Sequence, residues 1–161
     1  MAIDVKKLSP QELDNLIFNH RRKNATDREL FLEALEERAR RRGRGLSFKT
    51  SYEVIRKAAV DRRFLSYKEL ADASGAEWTQ VHYAIGGHLW DLVEYSHRKG
   101  WPMLSAIVVN KPNVGTGEME SETLKGFVGA ARELGHSVTD ERAFLKDQQE
   151  KVFEWAKKKS E

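Results

Sequence analysis

Cysteine is absent from the 161 residues, which excludes disulfides, thiolate metal sites and thiol nucleophiles in one step. Long apolar runs are missing too. The longest uninterrupted aliphatic stretch is Ala106-Ile107-Val108-Val109, far short of a membrane span. Met1-Ala2-Ile3-Asp4 opens no apolar h-region, so no secretory signal is expected and the protein is read as soluble and cytoplasmic. Neither an internal repeat nor a low-complexity segment is visible. Compact catalytic motifs are equally scarce: no HExxH, no GxSxG elbow, and no P-loop pattern in the stretch from Lys111 to Gly117. A chain of this length can still bury roughly 70% of its unfolded surface, so no staple is required.

What is present is charge, unevenly placed. Residues 1–63 hold 16 Lys and Arg against 10 Asp and Glu, a balance of +6, whereas residues 64–161 hold 12 against 15, a balance of −3. A basic N-terminal portion on a near-neutral body suits contact with a polyanion. Its densest part is Arg38, Arg40, Arg41, Arg42 and Arg44, bounded by Gly43 and Gly45. A helix dipole rewards positive charge only in the last turn, so five arginines in seven positions exceed what a helix end needs. Their forked donors match phosphate oxygens.

Local signals divide the chain into helices. Ser9-Pro10-Gln11-Glu12 starts one, with Leu13, Leu16 and Ile17 as its apolar stripe. Thr26-Asp27-Arg28-Glu29 opens a second, with Leu30, Phe31, Ala34 and Leu35 inward, and the two form a hairpin over residues 1–45. After a linker at 45–49, a third capping box at Thr50–Glu53 leads into Val54, Ile55, Ala58 and Ala59. Ser66-Tyr67-Lys68-Glu69 is a fourth, closed by a left-handed turn at Gly75. A further helix spans Glu77–Gly86, burying Trp78, Val81 and Ile85 and leaving Thr79, Gln80, His82 and Tyr83 exposed. Gly86-Gly87 breaks it before another helix from His88 to Lys99. Met103–Asn110 reads as one strong strand covered on both faces, followed by the glycine-punctuated loop Lys111–Gly117. Two more helices follow in residues 118–161, the last capped at Thr139 or Asp140, with Phe144, Leu145, Val152 and Trp155 inward.

The expected fold is therefore mainly α, or α+β. A winged helix-turn-helix-like core at 46–117 lies between the N-terminal hairpin and a C-terminal helical extension. Within that core Thr79, Gln80, His82 and Tyr83 offer hydrogen-bonding groups to a nucleic-acid groove, and glutamine can pair bidentately with adenine. No Lys or Arg lies on that helix. Phosphate contact is expected instead from Arg40, Arg41, Arg42, Arg44, Arg62, Arg63, Lys68 and Lys111. DNA is favoured over RNA, and a protein partner is the first alternative, anchored by Trp78, Trp90, Trp101 and Trp155. A metal-assisted hydrolase using His88, His97 and Glu94 is the second. No catalytic residue, metal or cofactor is assigned.

The central stretch resembles the DNA-binding domain of alkylguanine-DNA alkyltransferases and alkyltransferase-like proteins. Tyr52-Glu53-Val54-Ile55 is similar to that family's first helix, and Ser66-Tyr67-Lys68-Glu69-Leu70-Ala71 to its SYGxIA or TYGxLA segment. Ala84-Ile85-Gly86-Gly87-His88-Leu89 is similar to its AVGxAL, and Trp101-Pro102-Met103 falls near its VPC. The family's nucleophilic cysteine would fall at Met103, its histidine at Leu104 and the next arginine at Ser105, so the resemblance implies binding without alkyl transfer. The arginine that the family inserts into the duplex would fall at Tyr83, where an aromatic ring can wedge or stack instead. Residues Lys99–Lys111 also resemble a G-x-P-x-L-S/T-x-x-V-V-N-K segment of small bacterial domains sometimes fused to HNH nucleases, which implies an accessory role at DNA.

Overall fold

The computed structural model describes residues 3–41 and 46–160. Arg42 and Arg44, expected to contact phosphate, lie outside the described residues. Eight α-helices occur among the described residues, so the fold is mainly α. They are α1 (Pro10–Arg22), α2 (Glu29–Arg41), α3 (Phe48–Val60), α4 (Tyr67–Ala73), α5 (Trp78–Val81), α6 (Ile85–Arg98), α7 (Ser121–Glu133) and α8 (Glu141–Ser160).

Three helix starts follow the capping chemistry of the sequence. Ser9 and Glu12 form a reciprocal capping box on α1, as do Ser66 and Glu69 on α4. Asp140 caps α8 through the amide of Ala143, 3.0 Å away. Two other starts differ from expectation. Thr26 is buried and its hydroxyl points to the carbonyl of Glu94, 3.4 Å away, so α2 begins at Glu29 without a threonine cap. Ser47 caps α3 by accepting from the amide of Thr50, which draws Phe48 and Lys49 out of the expected linker and into the helix.

The α3 helix is the centre of the packing. Ile55, Ala58 and Ala59 are fully buried, and α3 meets α2, α4, α6 and α8. The small alanine side chains let neighbouring helices approach closely. One apolar cluster extends from Val5 in the N-terminal segment to Ala156 in α8.

The expected long strand is corrected. Leu104–Ile107 is a 3-10 turn, and extended pairing is confined to β2 (Val108–Val109) alongside β1 (Leu65–Ser66), in parallel register with Leu65 opposite Val108. A continuous apolar run fits any fully buried element, so its composition alone did not separate a strand from a turn. What holds the segment is a pair of glutamines on the inner face of α8. Gln148 Oε1 accepts from the Met103 amide at 3.0 Å. Gln149 Nε2 donates to the carbonyls of Ala106 at 3.0 Å and Gly117 at 2.8 Å. Both glutamines are buried, so they supply partners that backbone groups in this interior would otherwise lack. Gly117 is itself required: its φ is +78°, and a Cβ there would lie 2.3 Å from the ring of Phe64.

The expected recognition helix is also shorter than its sequence suggests. Only Trp78–Val81 is helical; residues 82–84 form a turn, and α6 then begins at Ile85 with Gly86 and Gly87 inside its first turn. The diglycine therefore opens a helix and does not break one.

Candidate nucleic-acid interface

Gly75, at φ +74°, turns the chain out of α4 and delivers α5 to the surface. Val81 anchors this single turn in the core, while Thr79, Gln80, His82 and Tyr83 are all exposed. Tyr83 is the most open large side chain of the group, at 62% exposure, with its ring edge-on to His82 at 5.9 Å. Together with Trp90 from α6 it forms a ridge between two concave surfaces, and both side chains line each of them.

On one side is a cleft of about 410 Å³ whose cations are Arg21 from α1 and Arg38 from α2. The floor contains Asp91 and His88 of α6, and Gly87 leaves the backbone open there. Both arginines are held in place. Arg21 bonds Asp91 through Nη2 and Glu94 through Nε, the latter at 3.0 Å. Arg38 lies 4.0 Å from Asp91 and 3.9 Å from Asp14. Burial pushes the Asp91 carboxyl up to about 6, although both guanidiniums pull it the other way.

On the other side is a longer groove of about 730 Å³ between α6 and α7. Its floor is apolar, formed by Leu89, Val93, Phe127 and Met119, and its charged lining residues are Glu122 and Glu133 of α7. No lysine or arginine among the described residues lines it.

The expected phosphate cations outside the cleft are largely engaged within the protein. Arg40 and Arg41 both bond Glu37, a carboxylate only 4% exposed, at 2.6–2.9 Å. Those hydrogen bonds hold Glu37 down to about 2. Arg41 also donates to the carbonyls of Val5, Lys6 and Leu8, tying the N-terminal 3-10 turn to α2. Arg62 bonds Glu150 at 2.7 Å and lies over the Phe153 ring, strapping the end of α3 to α8. Arg63 meets Glu69 and Lys68 meets Asp72. Lys111 is exposed on the 3-10 turn Lys111–Asn113. Arg62, Arg63 and Lys111 line neither concave surface.

The structure adds Arg21 and Trp90 to the residues grouped around Tyr83, and of the expected arginine cluster it brings Arg38 there. The spacing of Glu37 three and four residues before Arg40 and Arg41 was a visible sign that those arginines had local partners. The residues considered for hydrolysis do not converge. His88 is buried, its Nε2 lies 2.7 Å from the Ser51 hydroxyl, and burial pushes it down to about 4. Glu94 turns to Arg21, while the His97 ring meets that of His136 at 5.7 Å. No group of three or more His, Asp or Glu able to hold a metal occurs among the described residues. Met103, where the resemblance would set a nucleophile, is 2% exposed and packed in the core. Of the four tryptophans, Trp78 and Trp90 share the groove, whereas Trp101 and Trp155 pack on each other at 5.2 Å. No helix among the described residues is long and apolar enough to cross a membrane.

The chain matches no protein-family model, no curated protein and no solved structure.

Proposed function

We propose that this protein binds DNA without chemistry, presenting the Thr79–Tyr83 turn to a groove and the Arg21–Arg38 cleft to the adjoining phosphates. The observation that carries this reading is the exposed Tyr83 beside two pre-oriented guanidiniums. Carboxylates that fix an arginine's fork in space lower the entropy lost when a phosphate is bound. Tyr83 would stack on or wedge between bases, and Thr79 and Gln80 would meet base edges. In this reading α4, the Gly75 turn and α5 form the winged-helix-like unit, with the Lys111–Gly117 loop in the place of a wing. The resemblance to alkyltransferase-like proteins is consistent with such a role, since Met103 offers no nucleophile.

The test is a salt-dependent binding series against single- and double-stranded DNA and RNA. Contact with about three phosphates gives a slope of about −2.7 in log affinity against log salt on duplex DNA. The double substitution R21Q/R38Q should reduce that slope by nearly two, because each lost contact removes about 0.9. Y83A should weaken binding by about tenfold with the slope unchanged, as loss of one stacking contact requires. Failure to bind DNA at low salt, or a slope indifferent to the two arginines, would overturn the assignment.

A further inference from the structure

We propose that the α6–α7 groove docks a helical segment of a partner protein, apolar along one face and edged with lysine or arginine. This site lies across the Tyr83–Trp90 ridge from the arginine cleft and does not depend on DNA binding. Its shape favours a helix. One wall is α7 and the other is α6 with the α5 turn, and Glu122 and Glu133 stand three turns apart on α7, about 16 Å along its axis. An amphipathic helix of three to four turns lays its i, i+3, i+4 and i+7 side chains into grooves of that length.

The charge of the groove selects the partner. Glu122 and Glu133 make no ion pair among the described residues, and Arg132 on the same helix turns away to Glu141 and the carbonyl of Val138. With no lysine or arginine of the described residues in the lining, an apolar segment with cationic edges is attracted and an acidic one repelled. The same sign disfavours a phosphate backbone here. Between the two glutamates α7 exposes Gly126 and Gly129, each with nothing within 4 Å of where a Cβ would sit. A backbone can approach α7 closely at these positions. Trp78 and Trp90 at the opposite wall supply the large apolar anchors that carry binding energy in such interfaces.

The experiment uses the full chain and two synthetic 14-residue helical peptides with one leucine face, one bearing lysines on its remaining positions and the other glutamates. The lysine peptide should bind and shift the indole NMR signals of Trp78 and Trp90, leaving those of Trp101 and Trp155 in place. The glutamate peptide should bind at least tenfold more weakly. G129L, which projects into open space and should not disturb folding, should reduce lysine-peptide affinity at least tenfold. E122Q/E133Q, two exposed changes, should narrow the difference between the peptides. Equal affinity for both peptides, or G129L binding like the native chain, would overturn the proposal. So would light scattering that shows native self-association abolished by G129L, because a second copy would then be the occupant. R21Q/R38Q should leave peptide binding intact, which separates failure here from failure of the DNA assignment.

Discussion

The two concave surfaces beside the Tyr83–Trp90 ridge share a wall and differ in how their charge is answered. In the cleft, Arg21 and Arg38 are met by Asp14, Asp91 and Glu94 from within the fold. In the groove, Glu122 and Glu133 face solvent across an apolar floor, with no paired cation among the described residues. An internally answered charge orients its donor and mutes the field beyond it, whereas an unanswered charge projects that field to a partner. The arginine surface, two guanidiniums against three carboxylates, thus carries no net positive charge, and the glutamate surface is open and electronegative. A raw count of arginines in the first half of the chain does not convey this.

Removing an internal answer should have the largest effect. E37Q takes the buried carboxylate from Arg40 and Arg41 and leaves the tie between α2 and the N-terminal segment without its anion. Arg40 stays largely exposed, so the cost is that of the hydrogen bonds to Glu37 and not of a stranded buried charge, about 2–3 kcal/mol, measurable by urea unfolding. The pH dependence has a definite sign. Glu37 sits near 2 in the fold against 4.5 when free, so its stabilisation is complete above about 4.5 and disappears as pH falls towards 2. The native chain should lose stability over that window, and E37Q should show a shallower loss. If the two acid-unfolding profiles run parallel, Glu37 is not the anchor of this corner.

The groove floor depends on hydrogen bonds instead. Gln149 holds the carbonyls of Ala106 and Gly117, whose neighbourhood includes the lining residues Ser105 and Met119. Q149L preserves bulk but strands two buried carbonyls. About 2–3 kcal/mol of destabilisation is expected by denaturant titration, together with faster amide exchange around residues 103–119. A change below about 0.5 kcal/mol would mean that water replaces the glutamine.

How far these features could be read in advance depends on their range in sequence. Capping at Ser9 and Ser66 is local chemistry within four residues, and both boxes formed as expected. Thr26 carries the same pattern, but tertiary packing recruited its hydroxyl to Glu94, 68 residues away. The exposure of Thr79, Gln80, His82 and Tyr83 followed from helical periodicity, although only one turn of that helix exists. The Arg21–Asp91 pair joins residues 70 apart, and no periodic signal announces it. Gln148 and Gln149 did leave a sign: two amides in register with Leu145 and Val152 on the inner face of a helix. Two glycines within α7 were a sign as well, since helix interiors normally avoid them.

That last point yields a smaller and oppositely directed effect. G126A and G129A should each stabilise the chain by about 0.8–1 kcal/mol, the helix-propensity difference between glycine and alanine, because nothing obstructs the added methyl. Thermal unfolding should show an upward shift for each, while the same change at Gly117 meets Phe64 and a left-handed backbone and must destabilise. Failure of both helical substitutions to stabilise would show that α7 is already constrained there by contacts of another kind.

The smallest effect tests the muted field of the cleft. Asp91 sits near 6, raised by burial, so it takes up a proton as pH falls from 7.5 towards 5.5 and stops offsetting Arg21 and Arg38. One unit of charge about 7 Å from a phosphate in water is worth about 0.6 kcal/mol, or roughly threefold in affinity. Duplex DNA should therefore bind about threefold more tightly at pH 5.5 than at 7.5. D91N should bind at the tighter level at both pH values. For stability the sign is opposite to that of Glu37: folding favours the protonated Asp91, so its contribution declines as pH rises from about 3.8 to 6. A DNA affinity that is flat across this range in the native chain, or that still steps near pH 6 in D91N, would show that another group than Asp91 governs the cleft.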